Sequence, residues 1–244
     1  MPPAGAVPTQ PAESVGGGAN DGSATPAPVE GKYVSEEEPD SDGWLRAAVG
    51  PGEVRVALGR ASNLAMELDQ ASNGLAAAFE YDAGWTEGLN ITFTAEALGE
   101  LIAAGVKEVT VHAGVFRFSF DQKAVAALME QSGGTDVMIT LTPAEPLSME
   151  AAALIGTRPA YILSVQYEAD GELLDIVDLG DGLATLGIAY DRPQAEPADK
   201  IKAVSIDEDG RMETLEESVH DEGWLTWTDN RCAGLFGVAY QGAE

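Results

Sequence analysis

Ile91-Thr92-Phe93-Thr94-Ala95-Glu96-Ala97-Leu98-Gly99-Glu100-Leu101-Ile102-Ala103-Ala104-Gly105-Val106-Lys107-Glu108-Val109-Thr110-Val111-His112 changes its apolar period twice within one short stretch. Ile91 to Thr94 alternates and reads as a strand. Thr94 is a helix cap, and Leu98, Leu101 and Ile102 then recur at i, i+3 and i+4, which predicts one apolar helix face. Gly105 stops that helix, and Val106 to His112 alternates again, with Val109 and Val111 inward. Across Ala113-Gly114 the pattern returns. Val115 to Phe120 is a strand with Phe116, Phe118 and Phe120 on one face. Asp121 caps a helix with Val125, Leu128 and Met129 inward, Gly133-Gly134 ends it, and Val137 to Leu141 is a strand. Two strand–helix–strand units therefore stand side by side. Their apolar faces predict a small mixed sheet covered by two helices, with a hairpin at Ala113-Gly114.

Outward from this repeat the composition divides the chain into three. Residues 1–44 hold 7 of the 13 prolines and 7 glycines, and close on the acidic run Ser35-Glu36-Glu37-Glu38-Pro39-Asp40-Ser41-Asp42. Too few large apolar side chains are present to offset ordering entropy, so this segment reads as a disordered acidic linker. Residues 45–145 form the α/β part, in which Glu53 to Leu58 and Leu75 to Tyr81 are further strand candidates. In residues 146–244, Ser148 to Leu154 is a short helix. The rest is β, with strands at Tyr161–Tyr167, Leu183–Tyr190, Ile201–Ile206, Met212–Leu215, Trp224–Thr228 and Leu235–Tyr240. Glycine-containing turns separate them, as in a sandwich. The expected fold class is α+β: a small mixed sheet with two covering helices, followed by a β-sandwich-like C-terminal half.

Of the 244 residues, 13 are Lys or Arg and 41 are Asp or Glu, a formal net charge of −28. That sign argues against nucleic acid and anionic lipid as partners. No apolar run approaches the roughly 18 residues of a membrane span, so no membrane insertion is expected. With only His112, His220 and Cys232, zinc clusters and disulfides lack ligands. Met1-Pro2-Pro3-Ala4-Gly5 has neither the basic nor the apolar part of a signal peptide. The chain reads as a fragment lacking its leader, with a cytoplasmic protein as the alternative.

Longer motifs add a resemblance. Ile91 to Leu98 followed by Ala103 to Val111, then Gly156-Thr157-Arg158-Pro159-Ala160-Tyr161-Ile162-Leu163-Ser164-Val165, then Gly180-Asp181-Gly182-Leu183-Ala184-Thr185-Leu186-Gly187-Ile188-Ala189-Tyr190, occur in an order and spacing that resemble a module of large surface proteins in clostridia-like Gram-positive bacteria. In that family the module stands beside S-layer homology repeats. The likeness covers about residues 70 to 240. It implies a cell-surface or secreted location and a structural role. The C-terminal half is also reminiscent of GAIN-like sandwich domains, in which a His beside a Ser or Thr cleaves the chain. Here Asn230 stands where that His is expected, so the general base is missing; Cys232 is the one candidate nucleophile, against a reading as a small buried hydrophobe.

Ser205, Asp207, Asp209, Gly210 and Glu216 imitate the spacing of an EF-hand loop and are weak calcium candidates. The alternating strand before them points instead to a hairpin turn at Asp207–Gly210. No phosphate loop and no Ser-His-Asp set is present. Trp224 and Trp227 are three apart on one strand and so face opposite ways, which leaves one of them for a glycan or partner. Trp85 reads as a loop residue over the core. The sequence therefore predicts a non-catalytic extracellular or cell-envelope module, acting as spacer, adhesion or assembly domain on a flexible tether. Its expected partners are envelope proteins or cell-wall glycans, and no cofactor is expected beyond weak Ca2+ association. A GAIN-like self-cleaving domain and a glycan-binding or carbohydrate-active module are the alternatives.

Overall fold

The first strand lies inside the stretch whose composition reads as a linker. The computed structural model describes residues 26–81, 88–144, 149–207 and 210–241, and in it Val29–Ser35 (β1) pairs in parallel with Leu75–Tyr81. The 1–44 linker boundary is thereby corrected, and residues 1–25 lie outside the described residues. Trp44–Val49 (β2) follows, with Leu45, Ala47 and Val49 buried. Glu53 to Leu58, expected as a strand, is part of the helix Pro51–Glu67 (α1). Pro51 opens it in the first turn, where a missing N–H costs nothing, and the Glu53 carboxylate accepts the Gly50 N–H at 3.0 Å. The buried face is Val54, Ala57, Ala61 and Ala65. Val56, which the strand reading pairs with Val54, points to solvent.

Small residues on α1 let β1 lie directly on it. A Cβ at Gly31 would come within 2.1 Å of the Ala57 carbonyl oxygen and 2.3 Å of the Ala61 nitrogen. Only glycine fits there, so a residue that lowers strand propensity is what permits the contact.

Leu75–Tyr81 (β3) and Gly88–Phe93 (β4) precede Ala95–Ala103 (α2), in which the Thr94 hydroxyl accepts the Ala97 N–H as the N-cap. Leu98 and Leu101 are buried, while Ile102 is 39% exposed, a correction to the expected face. Gly105 takes φ 63° at the stop. Glu108–Ala113 (β5) and Phe116–Asp121 (β6) form the expected hairpin, and Asp121 caps Gln122–Gln131 (α3), where Val125 and Leu128 are buried and Met129 is half-buried against the core. Val137–Pro143 (β7) and Met149–Ile155 (α4) follow; Ser148, the expected cap of α4, lies outside the described residues.

The remaining elements are Ala160–Ala169 (β8), Glu172–Asp175 (β9), Ala184–Ala189 (β10), Ile201–Ile206 (β11), Met212–Leu215 (β12), Val219–Asp221 (β13), Trp224–Asp229 (β14) and Gly234–Tyr240 (β15). The six expected C-terminal strands are all among them.

The strands make two mixed sheets, so the fold is α+β with a β-rich C-terminal half. One sheet has seven strands in the order β1-β3-β5-β6-β10-β14-β13. The other runs β12-β11-β15-β8-β7-β4-β2, with β9 added to β8. The helices α1 and α2 each take the chain from the second sheet to the first, and α3 takes it back. Each strand–helix–strand unit therefore spans both sheets instead of building one small sheet. The expected division at 145/146 finds no break either. Seven register pairs join β7 to β8, and β6 pairs with β10.

The two sheets face each other across one apolar core that also takes the inner faces of α1, α2 and α3. Phe79 meets Phe93 edge-on at 5.9 Å, Phe116 meets Tyr161 at 4.5 Å, and Trp227 meets Phe236 at 5.5 Å. Each pair has one ring from either sheet. A smaller cluster lies under α4, around Ile155, Val204, Ile206 and Ala239, and it covers part of the far face of the second sheet.

Candidate functional site

Strand alternation sends every second residue of the seven-stranded sheet away from the core. Register places these outward residues in rows across the strands. One row runs Glu80, His112, Arg117, Gly187 and Thr226 over β3, β5, β6, β10 and β14. The next runs Lys32, Ala78, Thr110, Ser119, Thr185 and Thr228 over β1 to β14. A third holds Glu30 and Glu108.

Beyond Lys32 the middle row is made of short side chains, flanked by longer ones on either side, which leaves a groove of about 390 Å³. At about 4.8 Å per strand, it extends roughly 19 Å from β1 to β10. Its walls are Glu80, His112 and Arg117 on one side and Glu30 and Glu108 on the other; Ala78, Thr110, Ser119 and Thr185 are the floor. Lys32 closes one end, donating to Glu80 at 2.6 Å, with Glu30 at 3.8 Å.

Two features of the groove set it apart chemically. Thr110 is 8% exposed and Ser119 9%, yet neither hydroxyl is hydrogen-bonded to a described residue. Their oxygens open into the groove, where they are free to donate and accept. Thr185 and Thr228, by contrast, share a hydroxyl–hydroxyl bond of 2.9 Å. The second feature is Arg117. In a chain of charge −28, its guanidinium makes no ion pair among the described residues. It lies 5.2 Å from the Trp224 ring centre, and His112 stacks on the same ring at 6.1 Å. Gly187 and Ala189, on β10 between them, carry too little side chain to keep Arg117 and Trp224 apart. Trp224 thus buttresses the His112–Arg117 wall. Burial first, and the Arg117 charge second, lower the His112 pKa, which keeps the ring neutral at neutral pH.

The residues singled out in the sequence lie elsewhere. Cys232 is 1% exposed, with its thiol donating to the Ile176 carbonyl at 3.2 Å, and burial pushes its pKa up to about 12. Asn230 donates to Asp178 at 3.0 Å, which ties the turn before β15 to the loop after β9. His220 is bonded through Nε2 to the Tyr190 carbonyl at 2.8 Å.

The calcium candidates do not converge. β11 and β12 are a hairpin, Asp207 accepts the Arg211 N–H at 2.8 Å at its turn, and Asp209 lies outside the described residues. Glu216 follows the far end of β12, where its carbonyl takes the Lys202 amine. Four residues of extended chain from the turn end Met212 put it on the order of 13 Å from Asp207, too far for one cation. Among the described residues, no three His, Cys, Asp or Glu side chains are grouped to hold a metal.

Of the tryptophans, Trp227 is in the core and Trp224 on the outer face, as their spacing predicts, while Trp85 lies outside the described residues. Arg158, from the motif Gly156 to Val165, is structural. It pairs with Glu196, which also accepts the Tyr190 hydroxyl at 2.9 Å, and its guanidinium lies over Tyr240.

No family model, curated protein or solved structure matches the chain. No described helix is long and apolar enough to cross a membrane. The groove itself was not legible in the sequence. The alternation within each strand marks the outward residues, but five strands from distant parts of the chain supply them.

Proposed function

We propose that the protein is a non-catalytic module of the cell envelope or of secreted proteins, and that it works by adhesion through the outer face of its seven-stranded sheet. The observation that carries this reading is the groove, whose floor hydroxyls Thr110 and Ser119 bond to no described residue, on a face that no described helix covers. A flat sheet face would suit a spacer equally well; a groove floored by hydroxyls that are free to donate and accept suits contact with a ligand. The resemblance to S-layer-associated modules and the strongly acidic composition support an exterior location. The self-cleaving alternative is disfavoured because its thiol is buried and protonated at neutral pH.

Co-sedimentation with purified Gram-positive cell-wall sacculi tests the reading. The chain is expected to pellet with sacculi and to keep its intact mass of 25.4 kDa. A chain that stays in the supernatant, or that splits into two fragments, would overturn it.

A further inference from the structure

We infer that the groove on the seven-stranded sheet binds a linear, uncharged polysaccharide lying across the strands. This rests on the adhesive reading above and names its ligand class.

The floor offers one small or hydroxyl residue per strand, Ala78, Thr110, Ser119 and Thr185. Their spacing of about 4.8 Å is that of hydrogen-bonded strands, comparable to the advance of one pyranose unit along an extended glycan. The Thr110 and Ser119 hydroxyls have no bond to a described residue, and each can both donate and accept. A sugar hydroxyl has the same dual character. The walls mix donors and acceptors, with Glu80, His112 and Arg117 on one side and Glu30 and Glu108 on the other. An anionic polymer would meet carboxylates on both walls and a cationic one would meet Lys32 and Arg117; a neutral polyol finds a partner on either wall. The whole-chain charge of −28 further opposes a polyanion. Half-exposed Trp224, beside Arg117, adds an aromatic surface at the rim.

The test is native gel electrophoresis with soluble polymer in the gel: hydroxyethylcellulose, glucomannan, xylan and glycol chitin as neutral probes, polygalacturonate as the acidic one. At least one neutral polymer is expected to retard the chain. Thr185→Phe, which fills the floor from a partly exposed position, should reduce retardation at least tenfold, with only a small fall in Tm from the lost bond to the exposed Thr228 hydroxyl. Thr110→Val should weaken it several-fold while Tm stays level or rises. The variant removes a hydroxyl that has no protein partner, whereas a structural hydroxyl would lower Tm on removal. Failure of all four neutral polymers, retardation by polygalacturonate alone, or full binding by Thr185→Phe would each overturn the inference. If sacculi still pellet the chain in those cases, adhesion stands and only the ligand class falls; if they do not, the adhesive reading falls as well.

Discussion

Gly31 shows how much one missing side chain decides. The Cα hydrogen that stands in place of a Cβ faces the backbone of α1, so a methyl group there meets main-chain atoms that cannot rotate away. Gly31→Ala is expected to cost about 3 kcal/mol or more, at the upper end of overpacking penalties. Urea denaturation reads this directly, and a loss below about 1 kcal/mol would mean that β1 does not rest on α1. Cys232 is the residue where protonation matters. Its thiol titrates near the ordinary 9.0 when unfolded and at about 12 when folded. The folded state therefore holds its proton more tightly, so this contribution to stability is complete below pH 9 and is lost as pH rises from 9 to 12. Burial raises the Tyr81 hydroxyl as well, and it acts in the same direction at higher pH. Thermal melts should show Tm falling from pH 9 upward, less steeply in Cys232→Ala. Native protein at pH 8 should react with a thiol reagent only at its unfolding rate.

Helix ends set the precision with which elements are placed. Thr94 and Asp121 both cap by accepting the N3 amide, but Asp121 also accepts the Leu183 N–H at 3.2 Å. It therefore anchors the approach to β10 as well as α3. Thr94→Ala should cost about 1 kcal/mol, as caps generally do. Asp121→Ala should cost more, on the order of 2 kcal/mol, since a second amide loses its partner. Asp121→Asn should recover most of it. Equal losses at the two caps in chemical denaturation would show that the Leu183 bond contributes nothing. These caps were readable in the chain because a cap is a local event, complete within four residues. The strand reading of Glu53 to Leu58 shows the opposite case. The buried face of α1 is mostly alanine, which contrasts so weakly with its surroundings that the alternation of Val54, Val56 and Leu58 hides the helical period.

Charge acts on the molecule as a whole. At −28, self-repulsion should destabilise the compact state, and any counter-ion should relieve it. Since Asp207 and Glu216 stand apart at opposite ends of β12, calcium and magnesium are expected to raise Tm alike at millimolar levels, by screening. A one-to-one calcium isotherm in the micromolar range, absent with magnesium and lost in Glu216→Gln, would contradict this. The sequence by itself determined the class of most elements, the two capped helices, the hairpin at Ala113-Gly114, the hairpin before Met212 and the opposed faces of Trp224 and Trp227. All of these depend on interactions within a few residues. Only the tertiary structure decided that Val29–Ser35 is a strand, because its burial comes from β3 and α1, well beyond any local window. Only it decided that each strand–helix–strand unit divides between two sheets, since periodicity reports which face is buried and not against what. The groove has the same origin: the rows that form it exist only once Lys32, Thr110, Ser119 and Thr185 are brought into register, and register between distant strands follows from the packing of both sheets around one core.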